Sequence, residues 1–361
     1  MKTIRTELLL IIGLTIIVGF VSGVLGYVFI ALGGNRIPLF GQINISDTGW
    51  NNQIVIDQPR SVVVEQDIQV QQVENNVLPT LINIYTAKKS SNPINQVYLP
   101  AEILANGVVI TADGWIMSAR KPIPTLNGNY EVIGYQSKKY EVSSFIEDKI
   151  TGIVFGKTNA NNLTVSKIGN SHDLRVGQTL AIVSKNNGIV LVNVEKIGYQ
   201  PKVASDLILS SDELNKEIIL NIDLTNEIDG SVLVNLKGEL VGIISGSKIV
   251  PVNYFKGMIN TVLQGKAINR SVLGIKYFDL AHIDGLIEYG DKGALVYSAP
   301  QKTSPVYSQI LTGDVIKKID DVEINYSQSL SELLNSYKIG DKPEFLIQRG
   351  SDELRFEITL K

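Results

Sequence analysis

No cysteine occurs among the 361 residues, which excludes a disulfide framework, a thiolate nucleophile and a cysteine-based metal site. Histidine is nearly absent too. His172 and His282 are the only two, so any chemistry that needs an imidazole must use one of them. Charge of one sign is equally scarce: 33 Lys and Arg stand against 36 Asp and Glu, a net charge of -3. That balance, without a basic cluster, argues against a nucleic-acid partner. What the chain has in quantity is apolar surface, 44% hydrophobic residues, enough for two or three packed domains.

The first long feature is residues 8–32, LLLIIGLTIIVGFVSGVLGYVFIAL, a stretch without a charged side chain. It is long enough to cross a bilayer core of about 30 Å, and it is apolar on every face, unlike a helix packed on a soluble core. Lys2 and Arg5 precede it, with Glu7 beside them and Arg36 beyond, a bias that puts the amino terminus in the cytoplasm and the rest outside. The run exceeds the roughly 7–15 apolar residues of a signal peptide, so the expectation is an uncleaved single-pass anchor over residues 1–36. Gly19 and Gly23 form a GxxxG that can pair helices, although glycine is common in such spans. Residues 37–75, rich in Asn, Gln, Gly and Ser, read as a linker or a loosely packed extension.

Beyond the linker, short β-rich runs alternate with turn clusters: LPTLINIYTA, GVVITADGWIMSA, YEVIGYQ, YEVSSFIED, QTLAIVS, GIVLVNVEKIGY, EIILNIDL and SVLVNLKGELVGIIS. Such spacing predicts an antiparallel barrel or sandwich. Gly114 and Gly238 are placed to close hairpins by taking positive φ. Toward the carboxy terminus, SQSLSELLNSY at residues 327–337 predicts a helix with Leu330, Leu333 and Leu334 on one face.

Four fragments, in order, resemble the HtrA/Deg family of membrane-tethered or periplasmic serine proteases. NGVVITADGWIMSA resembles the strand pair before that family's catalytic histidine, GNSHDLRVGQTLAIVS its G-S-x-x-L-R-V-G segment, and SVLVNLKGELVGIIS the hairpin after its serine; SVLGI followed by KTSPVYSQILTGDVIKKIDDVEI resembles its PDZ domain. The resemblance implies a mainly β fold: a chymotrypsin/trypsin-like double barrel over residues 76–268, followed by an α+β PDZ domain over residues 269–361. It implies no cofactor.

Laid on the family's motifs, the triad positions read differently. SARKP puts Lys121 where the histidine belongs, KITGIVFGK puts Gly152 at the aspartate, and EIDGS puts Asp229 at the serine. A serine attacks only when a histidine takes its proton and an aspartate orients that imidazole; losing serine or histidine costs on the order of 10⁶ in kcat. The oxyanion hole would fall on Glu227, Ile228 and Asp229, and a carboxylate there repels a developing oxyanion. No catalytic residue is therefore expected, and the implied function is a membrane-anchored homologue that binds without cutting.

Other constellations carry less. His172 lies in a turn and reads as a solvated surface residue, and His282 lies in a connecting segment as a structural or exposed one. Ser118 and Lys121 spell S-x-x-K, a dyad that works from a helix, whereas here a strand precedes and Pro122 follows. Ser231 with Lys121 is a weaker pairing. Asp223, Glu227 and Asp229 could gather a cation, but carboxylates two apart on a strand face opposite ways, so no metal is expected.

In the PDZ part, Leu273, Gly274 and Ile275 match the loop whose backbone N–H groups receive a peptide's terminal carboxylate, and Leu330 and Leu334 would wall the groove. Expected partners are peptide or protein carboxy termini, the membrane through the anchor, and a second copy of the chain in a homo-oligomer. Two alternatives stay open: an active HtrA-type endopeptidase in envelope quality control, and an envelope scaffold whose groove is closed.

Overall fold

A computed structural model of the chain describes residues 2–32, 65–186, 188–225 and 228–361, which fall in two compact units, residues 1–62 and 63–361. The first unit contains helix α1 (Lys2–Leu32). Its side chains are described from residue 13 to residue 28, and Leu14, Phe20, Leu25 and Tyr27 are all exposed. Among the described residues no helix is long and apolar enough to cross a membrane. The expected anchor, residues 8–32, has side chains partly outside that described stretch.

The second unit opens with helix α2 (Glu65–Val77). Residues 65–75, expected as linker, are thus helical, because Val70, Val73 and Val77 recur at helical spacing and Val73 and Val77 bury into the core. Residues 37–64 of that linker lie outside the described residues.

Six strands follow: β1 (Leu81–Thr86), β2 (Ala105–Val109), β3 (Trp115–Ala119), β4 (Tyr130–Ile133), β5 (Lys139–Asp148) and β6 (Ile153–Thr158). They close a barrel in the order β1-β2-β3-β6-β5-β4. Side chains on β3 alternate between two cores, as the period of two requires. Ile116 points into the barrel with Ile82, Ile84 and Val154; Trp115 and Met117 point outward to Val183 and Val232 of the next sheet and to Phe255 on the short helix that follows it.

That next sheet is built from β7 (Lys167–Ile168), β8 (Thr179–Ser184), β9 (Gly188–Gly198), β11 (Glu217–Leu220), β12 (Val232–Asn235), β13 (Glu239–Ser245) and β14 (Lys248–Pro251). Its order is β11-β9-β8-β12-β13-β14, with β7 parallel to β13. Lys248 on β14 pairs with Glu217 on β11 at 2.5 Å, bringing the two ends together. Gly114 (φ +101°) and Gly238 (φ +76°) close the β2–β3 and β12–β13 hairpins, as the sequence predicts. Short helices α3 (Val252–Phe255) and α4 (Ile259–Leu263) then lead to the last part.

The third sheet has the order β10 (Leu209–Ser210), β15 (Lys276–Asp279), β16 (Ala294–Ser298), β17 (Val315–Ile319), β19 (Glu344–Arg349) and β20 (Asp352–Glu357), with β18 (Val322–Glu323) on β17. Against it packs α5 (Leu330–Leu334), with Leu330, Leu333 and Leu334 in the core beside Ile316 and Phe345. This helix is shorter than the expected 327–337. Ser329 starts it by accepting from the Glu332 N–H, while the Glu332 carboxylate accepts from the Ser329 N–H at 3.1 Å, a capping box that fixes the first turn.

Candidate functional site

The segment after β3 and the turn between β13 and β14 meet at the cleft between the two barrels. Asp229 is 3% exposed. Its backbone carbonyl accepts from the Asn106 N–H at 2.8 Å, which ties it to the first barrel, and its carboxylate accepts from the Gly246 N–H in the second. Lys121 reaches the same turn, since a Cβ added at Gly246 would lie 2.9 Å from its Nζ. Burial raises the Asp229 pKa above the ordinary 3.8, while the Gly246 hydrogen bond and the Lys121 charge act to lower it.

The chain beside Asp229 is equally constrained. Gly230 has φ +78°, and a Cβ there would stand 1.8 Å from the Asn106 carbonyl oxygen, so only glycine fits. The Ile228 N–H donates to Thr225, the Gly230 N–H to Ile244 and the Ser231 N–H to Ile228, which turns these donors inward rather than toward an open cleft. Glu227 lies outside the described residues. Gly152 (φ +68°) occupies the β5–β6 turn, and its carbonyl accepts from the N–H of Arg120, the residue before Lys121, at 2.8 Å.

Both alternative serines are buried. Ser118 is 1% exposed and donates to the Asn106 carbonyl at 2.5 Å. Ser231 is 1% exposed, and its hydroxyl has no hydrogen-bond partner among the described residues. His172 is not the solvated surface residue expected: it is half-buried against α5, with Nε2 at 3.8 Å from Glu332, and burial lowers its pKa. His282 stacks on Tyr326 with ring centroids 4.5 Å apart, its Nδ1 at 3.3 Å from Asp279. Asp223 is exposed whereas Asp229 is buried, and among the described residues no group of His, Asp or Glu could hold a metal ion.

At the second candidate site, Leu273 and Ile275 are buried and Gly274 takes φ +71°. That turn points successive N–H groups one way, the arrangement that captures a carboxylate. Both the Leu273 N–H (2.8 Å) and the Gly274 N–H (3.1 Å) donate to Asp212, in the segment that follows β10. Leu330 and Leu334 lie within the core.

Three residues outside any motif tie the parts together. Arg270 donates to the buried Asp148 through Nε at 3.1 Å and through Nη2, to the Tyr254 carbonyl at 2.7 Å, and to Asn335 at the end of α5. Glu332 on α5 takes Lys216 at 3.6 Å. Lys185 crosses from the second barrel to the Ile133 and Gly134 carbonyls at 2.8 and 2.7 Å, and burial pushes its ammonium down to about 8. Sequence reasoning missed all three, for each joins residues far apart in the chain with no local spacing to mark them.

A closed six-stranded barrel and a second, mainly antiparallel sheet whose end strands β11 and β14 approach each other, followed by a sheet-and-helix module, fit the trypsin-like double barrel with a PDZ domain. The comparisons agree. Residues 271–360 match the PDZ domain family. The chain is 27% identical over 295 residues to a protein of Buchnera aphidicola described as a probable periplasmic serine endoprotease DegP-like, covering 75% of this chain and 59% of that protein. It is 25% identical over 286 residues to a like-named protein of Pseudomonas putida (72% and 56%). Among solved structures, the HtrA-type protease AlgW with decapeptide superposes with a TM-score of 0.57 at 17% identity, covering 81% of this chain and 98% of that one. The same protease with tripeptide gives 0.56 at 16% (81% and 97%). The chain is therefore similar to HtrA/DegP-type serine proteases, with their fold and a PDZ domain, and it spans less than two thirds of the length of the curated relatives.

Proposed function

We propose that the chain is a non-hydrolysing HtrA/Deg-like protein that binds peptide segments or partner proteins through its PDZ domain. The observation that carries this reading is the Asp229 carboxylate, buried at the position matched to the nucleophile and hydrogen-bonded to Gly246. A carboxylate so held forms no normal acyl-enzyme, and the nearby Lys121 supplies no imidazole to accept a serine proton. Lys121 and Asp229 instead form an electrostatic clasp between the barrels. Similarity to AlgW, solved with bound peptides, supports peptide binding as the retained activity.

The helix α1 anchors the protein in a membrane with the second unit on the extracytoplasmic side. Its outward apolar side chains and the description of the relatives as periplasmic support this. Extraction of cell membranes with alkaline carbonate tests it: an anchored chain stays in the pellet, and a released one contradicts the anchor.

A second reading, an active serine endopeptidase, is favoured by the relatives' descriptions and by the Ser231 hydroxyl, which has no partner among the described residues. Incubation of pure protein with unfolded casein separates the two. The proposal expects intact casein; cleavage abolished by Ser231→Ala establishes the endopeptidase.

A further inference from the structure

The edge of β15 where a PDZ ligand would add is already paired. β10, from the loop between β9 and β11, lies antiparallel to it, with Leu209 opposite Tyr277 and Ser210 opposite Lys276. Beyond β10 the pairing continues: the Ser211 N–H donates to the Ile275 carbonyl at 2.9 Å, and the Ser211 hydroxyl accepts from the Ile275 N–H at 3.0 Å. The strand then ends in a carboxylate, Asp212, on the Leu273 and Gly274 N–H groups.

We propose that residues 209–212 are an internal ligand of the PDZ groove, which a partner peptide must displace. Each part of strand-addition binding is present in one chain. The backbone of residues 209–211 extends the sheet, the Leu209 side chain buries in the domain core, and the Asp212 side chain stands where a peptide's terminal carboxylate would stand. Direction matters here, because the segment runs toward the loop, as a captured chain end must. The partner is therefore a peptide presenting a carboxylate three residues after an apolar side chain, the pattern of Leu209 and Asp212.

The strap is built to let go. Only Leu209 and Ser210 count as strand, Asp212 is partly exposed, and a cavity of about 80 Å³ lined by Asp212, Leu214, Leu334 and Tyr337 lies beside the carboxylate. A tethered ligand acts at an effective concentration on the order of millimolar, so an outside peptide meets only the fraction of molecules whose groove is open, and its apparent affinity falls by that fraction.

This inference deepens the peptide-binding reading and rests on it for displacement, whereas occupancy stands alone, so the full-length chain is tested for each separately. Ser210→Cys with Lys276→Cys places two thiols at paired positions in a chain with no other cysteine. Mild oxidation should join them within one molecule. The labelled decapeptide VASDLILSSD, residues 203–212, then serves as the probe in fluorescence anisotropy. It should bind Asp212→Ala at least about tenfold more tightly than wild type, and the oxidised double-cysteine form not at all, with reduction restoring binding. Failure of the disulfide to form, or equal binding by locked and reduced forms, overturns occupancy. A disulfide that forms while no form binds the peptide overturns displacement and the peptide-binding reading with it, leaving the strap as a permanent joint.

Discussion

The Asp229 carboxylate stands under opposed influences whose balance can be measured. Burial pushes its pKa above 3.8, more strongly than the Gly246 N–H and the Lys121 charge pull it down. A carboxyl with a raised folded pKa stabilises the fold while protonated, and that contribution is lost as pH rises from 3.8 through the folded value. Asp229→Asn should therefore remove a fall in stability over that window, and Lys121→Met should extend the window upward by removing the lowering charge. Urea denaturation at stepped pH reads both. The difference between variant and wild type is the quantity to follow, because His172, with its pKa lowered by burial, contributes the opposite slope below 6.5. Next to Asp229, Gly230→Ala should destabilise by on the order of 3 kcal/mol or more, from the positive φ and the close Asn106 carbonyl together; a midpoint in urea close to that of wild type would show that the turn can yield. The sequence marks Lys121 and Asp229 only by their offsets to hairpins, and the contacts of Asp229 with Gly246 and Asn106 had no local spacing to show them. The burial of Ser118 and Ser231 was not legible either, because one strand residue does not reveal which face its neighbour covers.

At the scale of elements, the Arg270 contacts make a strong claim. Asp148 at the end of β5 is 1% exposed and held by Arg270 across 122 residues of sequence. Arg270→Ala leaves a buried carboxylate without its cation, and about 3–5 kcal/mol of stability should be lost in urea unfolding. The double variant Arg270→Met with Asp148→Leu should recover much of that, because replacing both charges with apolar groups removes the desolvation penalty; additive losses would show that the contact acts otherwise. Strand runs and hairpin glycines made most of the barrel elements readable beforehand. Strand β10 was not readable, since a two-residue strand inside LILSS has no period of its own and is defined by its partner β15. For the same reason α5 was overdrawn: the leucine pattern of residues 327–337 is periodic, but the capping box at Ser329 starts the helix only there.

For the whole molecule, the order of fragments carried the fold, because hairpins that are common singly are informative in sequence. Order says nothing about how the last module sits on the barrels. That depends on Arg270, on Glu332 with Lys216 and His172, and on Asp212, polar contacts made between distant segments. The proposed non-hydrolysing function requires that no serine in the protein be activated. Treatment of pure full-length protein with a fluorophosphonate, followed by mass spectrometry of its peptides, tests that without depending on the choice of substrate. The account predicts no modified serine at concentrations that fully label an active HtrA-type protease run alongside; stoichiometric modification of Ser231 or Ser118 would contradict it.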